Sequence, residues 1–128
     1  MILNFLKGFS VDGNRKATNF EEKIKKGIKL HTIRVDEKGR WKEGNKIHFS
    51  TGSRTSNYNC FKEGKCTGTQ TVEIKDRNVW VDGLKMTWDE IEYLSINDGF
   101  DDIADFWAWF DKYSPFYGKL IHWTGLRY

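Results

Sequence analysis

Lys26-Gly27-Ile28-Lys29-Leu30-His31-Thr32-Ile33-Arg34 decides how this chain folds. It reads as the end of a helix, a glycine stop and the start of a strand. A strand alternates its side chains between two faces, so Thr32 and Arg34 share one face and Ile33 takes the other. Lys29 lies just ahead of them and bends back toward the same opening. Two cations, a hydroxyl and an imidazole thus fall within six residues. Arginine offers a fixed fork of donors and lysine a mobile point charge, so the set suits an anion or a polarised carbonyl. Polar groups cost free energy on a buried face, so the cluster is expected outside the core.

Upstream, Ile2 to Leu6 reads as a short strand, and Ser10 to Lys16, with Asp12-Gly13-Asn14, as a loop. Thr18-Asn19-Phe20-Glu21 has the form of a capping box, in which each side chain satisfies an orphan donor of the other's backbone. The helix it opens runs to about Lys26, with Phe20, Ile24 and Ile28 as its buried stripe. Gly27 ends it, because glycine enters the left-handed region without strain. His31 to Val35 is then a strand.

Downstream, Glu37-Lys38-Gly39-Arg40 is a turn, and Lys46 to Thr51 alternates as a half-buried strand. Gly52 to Asn59 is a long polar loop. Lys65 to Asp76 is a strand with Cys66, Gly68, Gln70, Val72 and Ile74 on one face. Asp82-Gly83 joins Asn78–Val81 to Leu84–Met86 as a hairpin. Thr87-Trp88-Asp89-Glu90 is a second capping box and opens a helix to about Ile96, broken by Asn97-Asp98-Gly99. Asp101 starts a third helix, with Asp102 in its first turn and Ile103, Phe106, Trp107 and Phe110 as its core stripe. Trp109 lies on the other face. Pro115 follows the helix, and Phe116 to Thr124 is the last strand. This order predicts an α+β domain over residues 1–128: a small mixed β-barrel with about three helices packed over its ends.

The 128 residues fit one domain, and aromatic residues make up 16% of them, so rings build much of the core or a binding face. Residues 1–75 carry 16 Lys+Arg against 8 Asp+Glu, and residues 76–128 carry 5 against 10. One reading is a dipolar surface whose basic side attracts nucleic acid. The other is that folding interleaves the two halves. No apolar run spans a bilayer, and the N-terminus lacks a basic leader, so a cytoplasmic protein without membrane contact is expected. Cys60 and Cys66 are read as reduced thiols. Their spacing does not suit zinc and the three histidines are scattered, so neither a metal nor a cofactor is expected.

The strings Gly27-x-Lys29-x-x-Thr32-Ile33-Arg34, Trp41-Lys42-x-Gly44-x-Lys46-Ile47, Asn97-Asp98-Gly99-Phe100 and Gly118-Lys119-Leu120-Ile121-His122-Trp123, in this order, resemble the ASCH family of the PUA-like superfamily. The resemblance runs from about Thr18 onward. It implies a PUA-like β-barrel with a cleft beside the helix-to-strand junction, and an association with RNA or nucleotides. Some small ASCH proteins are amidohydrolases that remove the acetyl group from acetylcytidine nucleosides. Their pattern is a Lys and a Thr in a Lys-x-x-Thr string plus a downstream acid, usually Glu. Lys29 and Thr32 match in place, and Asp98 is the nearest acid, one methylene shorter. The extra N-terminal strand, the Gly52–Asn59 loop and the longer C-terminal helical segment depart from the small members.

Three functions follow as expectations. In the first, an RNA- or nucleotide-binding domain uses a basic cleft at Lys29, Thr32, Arg34 and Asp98, with Lys29 and Arg34 on phosphate. Trp41 or Tyr58 then stacks on a base, His31 lies near the cleft, and Arg54 either reaches over the ligand or sits on a mobile surface loop, two equal readings. In the second, the site is hydrolytic. Thr32 is the nucleophile, a neutral Lys29 takes its proton, and Asp98 orients Lys29 or protonates the leaving amine. In the third, the chain is an interaction module with no ligand. Thr32 also fits plain β-propensity, Lys29 an ordinary surface lysine and Asp98 a helix-ending turn. His122, between Ile121 and Trp123, is expected as a neutral, hydrogen-bonded core residue. A monomer is expected throughout.

Overall fold

The computed structural model describes residues 1–128. Its strands and helices follow in the order β1 (Ile2–Asn4), β2 (Gly8–Val11), β3 (Asn14–Ala17), α1 (Phe20–Lys25), β4 (His31–Arg34), β5 (Lys46–Thr51), β6 (Asn59–Lys65), β7 (Gly68–Lys75), β8 (Asn78–Val81), β9 (Leu84–Lys85), α2 (Trp88–Asn97), α3 (Ile103–Phe110) and β10 (Phe116–His122), with a 3-10 turn at Asp111–Tyr113. The class is α+β. The strands form three sheets: five strands in the order β4-β10-β7-β8-β9, three in the order β1-β5-β6, and the hairpin β2-β3. Backbone hydrogen bonds do not link these sheets into one closed barrel. No helix is long and apolar enough to cross a membrane.

Strand β10 organises the larger sheet. It pairs antiparallel with β4, setting Ile121 opposite Thr32 and Lys119 opposite Arg34, and with β7 on its other edge. In the smaller sheet β1 runs parallel to β5, with Leu3 opposite Phe49. The two sheets face each other through aromatic rings. Trp123 meets Phe49 edge-on at 4.9 Å and Phe5 at 6.3 Å between ring centroids. Phe100, Phe106 and Phe110 continue the ring packing under α3. The aromatic richness of the sequence is therefore mostly core.

Local signals explain several elements. Thr87 and Glu90 complete the expected capping box at α2. Asp82 and Gly83, at φ 50° and 80°, make the turn between β8 and β9. Gly27, at φ 72°, ends the α1 segment. Phe106, Trp107 and Phe110 are buried as the stripe predicts.

Other expectations are corrected. Ser10–Lys16 is a hairpin, not a loop: Asp12 and Gly13, at φ 49° and 78°, turn β2 into β3. Thr18 does not cap α1. Its hydroxyl donates to the Leu6 carbonyl at 2.6 Å and accepts the Phe20 N–H at 3.4 Å, while Asn19, in the left-handed region, takes the cap position. Ile28 leaves the α1 stripe and is 46% exposed, because Gly27 turns the chain away. The span Lys65–Asp76 is two strands broken at Cys66-Thr67, and β6 before the break is an additional edge strand. Asp102 caps α3 from outside, its carboxylate accepting the Asp105 N–H at 2.9 Å.

Candidate functional site

Two backbone events bring the site together. After Gly27 the chain folds back, and Lys29 N–H donates to the Lys23 carbonyl at 3.1 Å. Leu30 N–H then donates to the Asn97 carbonyl at 2.8 Å, which docks the entry to β4 against the end of α2. Asp98 caps that end, and Gly99, at φ 95°, turns the chain away. Lys29 and Asp98 are thereby forced into contact. The Lys29 ammonium donates to the Asp98 backbone carbonyl and lies 3.4 Å from its Oδ1.

Lys29, Thr32 and Asp98 are buried, which overturns the expectation that the polar cluster lies outside the core. The free-energy cost is met by partners. Besides Asp98, the Lys29 ammonium has the Phe20 ring at 4.4 Å and the Phe5 ring at 5.7 Å. Burial nevertheless dominates and draws the lysine pKa down to about 8, while the Asp98 charge pulls it back up and Arg34 adds to the lowering. Arg34 shares a face with Thr32, as strand alternation predicts. Its Nε donates to Thr32 Oγ1 at 3.2 Å, its Nη2 to the Asn4 carbonyl at 2.7 Å, and its plane lies over Phe5 at 5.0 Å. Burial lowers its pKa to about 10.

His31 is fully buried behind the site. Its Nδ1 lies 3.0 Å from Asp98 Oδ1, and its Nε2 meets the Tyr128 hydroxyl. An ionised carboxylate only accepts, so Nδ1 carries the proton and Nε2 accepts from Tyr128. Asn97 Nδ2 donates to the same hydroxyl at 3.1 Å. A chain of donors, Asn97 to Tyr128 to His31, therefore ends on Asp98. Burial lowers the His31 pKa, so the ring is neutral at pH 7. The expectation that His31 touches ligand is replaced by a role in holding Asp98.

Lys29, Thr32, Arg34 and Asp98 line one cavity of about 520 Å³. Phe5, Phe20, Phe100, Trp109, Phe110 and Phe116 build its walls. Sequence reasoning missed most of these walls. Phe110 was legible as core, but a helical stripe does not show which residue stops short of full packing. Tyr128 carries no sequence signal at all.

The remaining candidates separate. Trp41 is 8% exposed and does not line the cavity, so it is not a stacking platform. Asp36 accepts the backbone N–H groups of Arg40 at 2.8 Å and Trp41 at 3.0 Å, folding the turn so that the indole enters the core. Arg54 and Tyr58 line a second, shallower groove that shares Asn4 and Arg34 with the cavity. His122 is buried and neutral, with its pKa pushed down to about 3 chiefly by burial, and its Nε2 donates to Gln70 Oε1 at 3.0 Å. Cys60 and Cys66 are both free thiols. No three His, Cys, Asp or Glu side chains are grouped to hold a metal ion. The basic and acidic halves of the chain interleave: Lys16 pairs with Asp101 and Asp105, Lys23 with Asp101, and Asp36 with Lys119.

Comparison with protein-family models, curated proteins and solved structures gives no match.

Proposed function

We propose that this chain is an RNA- or nucleotide-binding domain of the ASCH type that seats one base in the aromatic cavity. The observation that carries the reading is the cavity itself: aromatic walls over a floor of Lys29, Thr32, Arg34 and Asp98. Flat rings suit the π-face of a base, and a few converging polar groups fix its edge. The two sheets that meet through Phe5, Phe49 and Trp123 fit a PUA-like barrel opened along its seams. Calorimetric titration with cytidine and N4-acetylcytidine tests the reading. Saturable binding by the whole chain, weakened in Trp109→Ala, is expected. Absence of binding by any base-containing ligand removes it.

The state of Lys29 favours a second reading, deacylation of an N4-acylated cytidine. A lysine with its pKa near 8 holds a neutral fraction of roughly one tenth at pH 7, enough to serve as a base. Thr32 Oγ attacks the amide carbonyl carbon while Lys29 takes the hydroxyl proton. The oxyanion forms beside Arg34. The C–N bond breaks, Lys29 returns the proton to the departing amine, and water then hydrolyses the threonine ester to release the acid. Asp98 holds the lysine in place. Chromatography for cytidine after incubation with N4-acetylcytidine tests this reading; conversion no faster than in buffer rules it out for that substrate.

A further inference from the structure

Arg34 is largely enclosed, yet its partners are neutral: a threonine hydroxyl, a backbone carbonyl and a phenylalanine ring. Neither Arg34 nor Arg54 pairs with a carboxylate. Of the six arginines, Arg77 alone is paired, with Asp111, so what sets Arg34 and Arg54 apart is their place. One residue ties Arg34 and Arg54 to the same place. The backbone carbonyl of Asn4 accepts from Arg34 at 2.7 Å, and its side-chain Oδ1 accepts the Ser53 N–H at 2.9 Å. The loop carrying Arg54 is thereby pinned beside the Arg34 guanidinium. Arg54 itself sits at φ 62°, a conformation that non-glycine residues seldom adopt. The groove between them is lined by Ile2, Asn4, Arg34, Ser53, Arg54 and Tyr58 and shares Asn4 and Arg34 with the cavity.

We propose that this groove is a phosphate subsite, so that the ligand of the cavity is a nucleotide and not a free nucleoside. The proposal rests on the reading that a base occupies the cavity. Two guanidinium forks can grip the oxygens of one phosphate in bidentate fashion, and the Tyr58 and Ser53 hydroxyls supply further donors. The phosphate of a nucleotide stands one sugar away from its base, as the groove stands beside the cavity. Lys29 does not take this role. It lies at the buried floor with its ammonium committed to Asp98, so phosphate binding passes from Lys29 to Arg54.

The test is calorimetry on the whole chain with cytidine, cytidine 5′-monophosphate, a short oligocytidylate and inorganic phosphate, repeated on Arg54→Ala and Arg54→Glu. Arg54 is exposed, and thermal unfolding checks that both variants stay folded. The monophosphate is expected to bind about tenfold more tightly than cytidine, the worth of one or two charge-assisted hydrogen bonds. Arg54→Ala brings that ratio near one, and Arg54→Glu inverts it. Tighter binding of the oligocytidylate than of the monophosphate, with the same dependence on Arg54, assigns the phosphate to RNA. The reverse order assigns it to a mononucleotide. Equal affinity for cytidine and its monophosphate overturns the subsite and leaves the base-binding reading intact. A phosphate gain that survives Arg54→Ala also overturns it. Arg54-dependent binding of inorganic phosphate without any cytidine binding keeps the subsite and sinks the base-binding reading. Binding of neither sinks both.

Discussion

Lys29 and Asp98 stand 69 residues apart in the chain and 3.4 Å apart in space, Nζ to Oδ1. They are 1% and 3% exposed. A lone buried ammonium discards its proton readily, and a lone buried carboxylate takes one up. Together they form a buried pair in which, for the lysine, the desolvation cost outweighs the attraction. The lysine is thus poised with both protonation states in reach of neutral pH, in the aromatic hollow that Thr32 also lines.

The poise has a consequence for stability. Below about pH 8 both the folded and unfolded chains hold the Lys29 proton, and the residue adds no slope. Above that pH the folded chain releases it while the unfolded chain keeps it up to the ordinary value of 10.5. The unfolded state then binds more protons, so stability rises with pH. Between pH 8 and pH 10 the gain is about 2–3 kcal/mol. Urea unfolding across this window should show the rise in the native chain and lose it in Lys29→Met. Identical profiles for the native chain and Lys29→Met contradict a Lys29 pKa drawn down by burial.

Gly99 holds Asp98 over the lysine. It lies at φ +95°, and a Cβ there would stand 2.9 Å from Lys29 Cδ and 3.1 Å from Phe20 Cδ1. Gly99→Ala therefore combines backbone strain with overpacking and should cost about 2–4 kcal/mol by chemical denaturation. A loss below about 0.5 kcal/mol, the size of an ordinary surface substitution, would show that the chain at Gly99 is not so constrained.

Tyr128→Phe removes a hydroxyl that donates to His31 and accepts from Asn97. The buried His31 Nε2 loses its donor. The expected loss is about 1–3 kcal/mol, the cost of one unsatisfied buried polar group. Unchanged stability would mean that water reaches His31 in place of the phenol.

Thr32 separates binding from chemistry. On the deacylation reading, Thr32→Val keeps the shape and removes the proposed nucleophile, so release of cytidine from N4-acetylcytidine should vanish while stability shifts by about 1 kcal/mol. Thr32→Ser should keep turnover. Persistent turnover in Thr32→Val assigns the nucleophile elsewhere.

The sequence revealed the parts of this account that rest on local chemistry. Gly27 as a stop, the Thr87–Glu90 box, the Asp82-Gly83 turn and the stripe on α3 are each set within a few residues. The Asp12-Gly13 turn carried the same signal as Asp82-Gly83, but Asn14-Arg15-Lys16 lacks apolar alternation and hid the strand. Strand β6 was hidden likewise, because an exposed edge strand shows no buried face. The Thr18 box fails because Asn19, in the left-handed region, takes the cap position, and the Trp41 reading fails because the core claims the indole. In the site, Lys29, Thr32 and Arg34 were legible as a group. Their burial was not, because it depends on Asp98 and on the Phe5 ring, which no local pattern brings near.

The most direct test of the cavity is an NMR titration of the labelled chain with N4-acetylcytidine. Saturable shifts are expected at Thr32, Phe100 and the Trp109 indole N–H, all on the cavity wall. Shifts confined to the exposed lysines of β6, Lys62 and Lys65, or no shifts at all, would contradict a base seated above Lys29 and Asp98.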